Sequence, residues 1–188
     1  MKKEKTISVL FLVQSAMIAA IYVVLTIVFA PISFGQIQFR IAEALTILPA
    51  FTPAAIPGLF VGCLIGNILG GAILPDIIVG SMATLLGAIF TYLLRNRSKW
   101  LAPLPPIIAN TVLIPFVLYY GYQILLPIPF QMLTVGIGEV LSCGILGMIV
   151  YTALNKYKTV FSVSNKKEEV LSQRINSLKD FSFFCYFI

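Results

Sequence analysis

The sequence predicts an all-α membrane protein with six transmembrane helices, and three observations carry that prediction. Apolar residues make up 59% of the 188-residue chain and charged residues 11%, with a mean hydropathy of +0.98, far from the balance of a soluble domain. Apolar runs recur along most of the length, so a single N-terminal signal or anchor does not account for them. Lys and Arg gather at the ends of those runs and in the tails, so the net charge of +6 reads as a membrane-orientation signal and not as a nucleic-acid surface.

A helix needs about 20 mostly apolar residues, at about 1.5 Å each, to cross about 30 Å of hydrocarbon. The first run, 6–30, ends at Ala30-Pro31, ahead of Ser33 and Gly35. The second, 43–56, is short and interrupted by Pro49 and Pro53, which predicts a kinked helix or one packed wholly against protein. The third and fourth, 57–74 and 76–94, are divided by Pro75, and the fourth stops at the basic stretch RNRSKW. The fifth, 106–126, follows APLPP, and the sixth, 131–154, follows PIPF and stops at NKYK. Residues 1–158 therefore read as one six-span domain. Residues 159–188 are too polar to span and are expected to form a poorly ordered cytoplasmic tail, though Val170, Leu171, Ile175 and Leu178 are spaced to lie on a membrane surface.

With six spans, Lys2, Lys3, Lys5, Arg95, Arg97, Lys99, Lys156 and Lys158 fall on one side and only Arg40 on the other. Both termini are therefore expected in the cytoplasm of a multi-pass cell-membrane protein.

Three acids lie within the membrane-spanning part of this domain, Glu4 belonging to the N-terminal tail. Glu43 opens the second run, Asp76 the fourth, and Glu139 lies well inside the sixth. An ionised side chain inside a membrane helix normally faces a polar cavity or a partner, so a shared cavity in the outer half is the economical reading. Other readings stand beside it. Asp76 follows Pro75 and suits a helix N-terminus, and Arg40 and Glu43 are spaced to form an interfacial ion pair. Glu139, in VGIGEVLSCG, has no local basic partner. Asn67 either joins two helices or meets a ligand, while Asn110 is placed near the cytoplasmic end and outside the cavity. Tyr119, Tyr120, Tyr122 and Gln123 form either an interfacial aromatic belt or a cover for a planar molecule.

Gly58, Gly62, Gly66 and Gly70 share one face of the third helix, and Ser15, Ala16, Ala19 and Ala20 form a smooth stripe on the first. Their packing partners, within the chain or outside it, are open from spacing alone. No GxxxxGK[ST] motif occurs and no histidine is present, which argues against ATP hydrolysis by this chain and against Ser-His, Cys-His or histidine-metal catalysis. Cys63, Cys143 and Cys185 show no metal or redox spacing. No cofactor and no metal are expected, and binding or transport remains, with a structural or assembly role and a proton-coupled carrier as rivals.

APISFGQIQFRIAEALTILP (30–49), DIIVGSMATLLGA (76–88) and VGIGE (135–139) resemble the queuosine-precursor transporter family, QueT, over about residues 7–156. These are substrate-binding (S) components of energy-coupling-factor (ECF) transporters. The resemblance implies an S-component-like bundle without enzyme activity that captures a micronutrient at the outer face. Its partners would be a membrane coupling protein and two cytoplasmic ATPases. It further implies a 7-deazaguanine ligand, although another small cationic or neutral micronutrient stays open. Docking to the coupling protein would use Ala16 and Ala20, with Ala19 beside them, and residues 31–42 would form a lid. The candidate ligand-binding residues are then Glu139, Glu43, Arg40 and Asp76, together with Asn67, Gln38, Tyr120 and Gln123.

Overall fold

A computed structural model describes residues 9–33 and 40–156, and all regular structure among them is helical. Gln38, most of the 31–42 connection and the 159–188 tail lie outside the described residues. The principal helices are α1 (Val9–Val28), α2 (Ile41–Ala50), α3 (Ala55–Leu69), α4 (Leu74–Leu94), α5 (Leu104–Tyr120) and α6 (Ile128–Asn155). Single turns at Ala30–Ser33 and Lys99–Leu101 follow α1 and precede α5.

Four of these stretches are long and apolar enough to cross a bilayer: α1, α4, α5 with its preceding turn, and α6. The chain is an all-α, multi-pass membrane protein. Its surface is inverted relative to a soluble fold, with Val9, Met17, Phe90 and Ile149 exposed and Asn67, Asp76, Thr91, Asn110, Gln131 and Glu139 buried. Apolar side chains face lipid, and polar ones find partners inside.

The short second run is the centre of the bundle. α2 is a 3₁₀ helix of 10 residues with Pro49 inside it. At about 2.0 Å per residue it is about 20 Å long. No residue from Ile41 to Ala50 is exposed, and α1, α3, α4 and α6 all pack on it. A tight, irregular winding is tolerated at membrane depth because neighbouring helices, not lipid, surround it.

The glycine face of α3 has its partner within the chain. The buried face of α1 is Ser15, Ala19, Tyr22 and Thr26. A Cβ added to Gly58 would lie 2.7 Å from the Ser15 carbonyl oxygen, and one on Gly62 would lie 2.9 Å from Tyr22 Cβ. Ser15 Oγ donates to the Ala54 carbonyl at 2.8 Å, tying the two helices at the start of α3. Ala19 therefore serves internal packing, whereas Ala16 and Ala20 are exposed, off the buried face of α1.

α6 departs from regular geometry directly after Glu139, where Val140–Leu146 widens into a π-helix. This wider turn carries Ser142 and Cys143 on its buried side. Such insertions are frequent at functional sites.

Candidate functional site

Five helices deliver polar side chains to one buried region around α2. Arg40, immediately before α2, is 6% exposed; its Nη2 donates to Asp76 Oδ2 at 3.2 Å and Oδ1 at 3.4 Å, and its Nη1 to Asn67 Oδ1 at 3.4 Å. Tyr122, just beyond α5, donates to Asp76 Oδ2 at 3.1 Å and accepts from the Ile73 backbone N–H at 3.4 Å. Gly80 makes this arrangement possible, since a Cβ there would lie 3.2 Å from both the Asn67 amide nitrogen and Asp76 Oδ1. Asp76 sits in the first turn of α4 but caps no backbone N–H; its carboxylate is given to Arg40 and Tyr122.

Glu43 and Glu139 form the other half. The Tyr22 hydroxyl donates to Glu43 Oε1 at 2.5 Å. Glu43 Oε2 is buried without a hydrogen-bond partner. Asn110 Nδ2 donates to Glu139 Oε1 at 3.0 Å, and Cys143 Sγ lies 3.2 Å from Glu139 Oε2 and 3.4 Å from the Glu43 carbonyl. Thr46 Oγ1 donates to the Glu43 carbonyl at 2.6 Å and lies 3.4 Å from Cys143 Sγ. Cys63 accepts from Thr84 at 3.4 Å on the other flank.

Glu43, Glu139 and Cys143 each place one ligating atom within 4.8 Å of the others, and all three residues are buried. Two ionised carboxylates at about that separation repel by about 3 kcal/mol at an effective dielectric of about 20. A proton, a metal ion or a cationic ligand group offsets that repulsion. As a metal site the trio offers two oxygens and one sulfur, whereas as a ligand site it offers acceptors for N–H groups.

The structure thus brings Arg40, Glu43, Asn67, Asp76 and Glu139 into one region. The placement of Asn110 is corrected: it is 3% exposed and holds Glu139. Tyr120 is 72% exposed and lines an apolar groove of about 420 Å³ with Pro75, Val79 and Phe116, outside the cluster. Gln123 is also exposed, with a positive φ of 54° in the α5–α6 connection. Tyr122 is the aromatic residue of that stretch that reaches the cluster. Sequence reasoning did not select Tyr22, Thr46, Thr84 or Cys143. For Tyr22 a signal existed, because Ser15, Ala19, Tyr22 and Thr26 repeat at helical spacing and mark a buried face.

The model of the family described as QueT transporter matches residues 12–156, well over half of the chain. A relative named "Queuosine precursor transporter QueT", from Lactococcus lactis subsp. cremoris (strain MG1363), is 39% identical over 101 residues, 53% of this chain and 57% of that protein. The chain thus spans little more than half of that relative's length. No solved structure matches. The family match encloses all the clustered residues, from Tyr22 through Cys143, and the chain belongs to the QueT transporter family.

Proposed function

We propose that the chain is the substrate-binding subunit of an ECF-type importer and that it captures a queuosine precursor, a 7-deazaguanine, at the outer face of the cell membrane. Both termini face the cytoplasm in this reading, following the side on which Lys and Arg accumulate. A coupling protein, docked on the exposed Ala16 and Ala20 side of α1, and two ATPases supply the energy. The chain itself binds and carries, without catalysis.

The observation that carries this reading is the Glu43–Glu139 region: two buried acids with an amide beside them and one carboxylate oxygen without a donor, in a QueT-family membrane bundle. A guanine-like edge presents adjacent N–H donors that a carboxylate accepts as a pair, and the amide suits a ring carbonyl. Arg40, Asp76 and Tyr122 hold the adjacent helices around this region.

The test is a calorimetric titration of the purified chain, in detergent or nanodiscs and without ATP, with 7-deazaguanines, guanine and common vitamins. Submicromolar binding of a 7-deazaguanine is expected, weakened about tenfold or more by Glu139→Gln. Absence of binding to the wild-type chain removes the substrate assignment. Unchanged affinity in a folded Glu139→Gln variant removes the site assignment and favours the rival in which the acids serve only assembly.

A further inference from the structure

We propose that the lipid-facing groove between α4 and α5, with the basic connection 95–100 at its mouth, is a binding site for one anionic phospholipid. An acyl chain fills the groove, and the phosphate meets Arg95, Arg97 and Lys99. The site is separate from the buried polar cluster and does not depend on the substrate reading.

The groove holds about 520 Å³. Leu86, Phe90 and Leu94 recur every four residues on α4, and Leu104, Ile108 and Val112 do so on α5, so each set forms one row along its helix. The compact Pro105 and Ala109 also line it and leave the space between the rows open. From Leu86 to Leu94 the groove runs about 12 Å, close to the hydrocarbon depth of one leaflet, about 15 Å. The second groove, of about 420 Å³, continues from Leu113 toward Tyr120, and Leu113 lines both. Two grooves divided there suit acyl chains from the two leaflets, whereas a partner's membrane helix would need one uninterrupted seat of about 30 Å.

The mouth selects the lipid. Leu94 and Leu104, at one end of the groove, flank the connection that carries Arg95, Arg97 and Lys99, all exposed. The acids among the described residues, Glu43, Asp76 and Glu139, are 1%, 0% and 3% exposed, so none neutralises these cations at the surface. Arg95 lies 3.7 Å over the Tyr92 ring, which holds its guanidinium at the end of α4. Trp100, 66% exposed, suits the headgroup level. A phosphate is the anion found at that level above an acyl chain, and arginine offers it paired donors. The second groove lacks this chemistry, since neither 70–76 nor 119–127 contains Lys or Arg.

Trp100 is the sole tryptophan of the chain, so its fluorescence reports on this mouth alone. The full chain is reconstituted in phosphatidylcholine vesicles in which a set fraction of either phosphatidylglycerol or phosphatidylcholine carries acyl-chain bromine, a contact quencher of tryptophan. Brominated phosphatidylglycerol is expected to reach half-maximal quenching at a mole fraction about fivefold lower or more. Combined Arg95→Gln, Arg97→Gln and Lys99→Gln should abolish this preference. Ala109→Leu, which fills the groove, should reduce it, and Val79→Phe in the second groove should not. Equal quenching by the two lipids in the wild-type chain overturns the site, and a preference that survives the triple variant overturns the phosphate contact. A preference untouched by Ala109→Leu, or lost equally in Val79→Phe, overturns the groove as the seat. Absence of quenching by either lipid shows that protein covers the mouth, which overturns the site as well.

Discussion

Tyr22 donates its hydroxyl to Glu43 Oε1 at 2.5 Å, so the central acid of the bundle is held by α1, a helix whose other sides face lipid. Removing that hydroxyl leaves a second carboxylate oxygen of Glu43 without a donor. Tyr22→Phe is expected to destabilise the protein by about 1–3 kcal/mol, read as a lower midpoint of thermal unfolding in detergent. An unchanged midpoint would show that the bond contributes nothing to stability.

The Arg40–Asp76 pair is buried at 7% and 0% side-chain exposure, so neither partner can turn to water when the other is lost. Arg40→Met or Asp76→Leu alone should destabilise by about 3–5 kcal/mol. The double variant should recover most of that loss, because it removes both charges together. A double variant no more stable than the singles would contradict this account.

Glycines on the two sides of the bundle should respond differently to Ala. A Cβ at Gly58 would meet the Ser15 backbone oxygen at 2.7 Å, which requires α1 and α3 to separate, whereas one at Gly136 would meet Thr111 Cγ2 at an ordinary 3.4 Å. Gly58→Ala is expected to cost about 1–3 kcal/mol, while Gly136→Ala stays near neutral. Equal midpoints for the two variants would overturn the packing argument.

Tyr122 lies outside the spanning helices. Burial first, and the Asp76 carboxylate next, push its phenol above the ordinary value of 10.0. Its contribution to stability is therefore complete below pH 10.0 and is lost as pH rises through the elevated value. Alkaline unfolding monitored by phenolate absorbance should show this loss in the wild type, and Tyr122→Phe should remove that component. An identical alkaline profile in the variant excludes Tyr122 as its source.

Ala16 and Ala20 are exposed on α1, away from the α3 contact. If this stripe receives the coupling protein, Ala16→Leu with Ala20→Leu should leave ligand binding by the isolated chain unchanged and abolish uptake by the assembled transporter. Full uptake by the double variant would place the docking surface elsewhere.

Much of the fold was legible because lipid imposes simple rules on length and polarity. The long apolar stretches α1, α4, α5 and α6 follow from them. Hydropathy does not distinguish a helix facing lipid from one wrapped by protein, so the role of α2 was open until its burial was seen, although Pro49 and Pro53 had marked it as unusual. Asn110 was misplaced by helix boundaries. Ending the fifth helix at 126 and starting the sixth at 131 puts Asn110 about 24 Å and Glu139 about 12 Å from one end, at about 1.5 Å per residue. With α5 ending at Tyr120 and α6 starting at Ile128, the two depths become about 15 Å and about 17 Å, and the side chains meet. The bonds of Asp76 with Arg40 and Tyr122 join segments far apart in sequence, which periodicity alone does not register.

The tightly wound helix at the bundle's heart also constrains how the polypeptide is made. About 20 Å long and carrying a carboxylate, α2 lacks the length and greasiness by which the insertion machinery admits a segment alone. Its place at membrane depth therefore depends on α1, α3, α4 and α6 packing around it, with Tyr22 of α1 supplying a donor to its acid. A ribosome-stalled chain ending before α3 is therefore expected to leave Glu43 accessible to water, read by chemical labelling of a cysteine placed at that position.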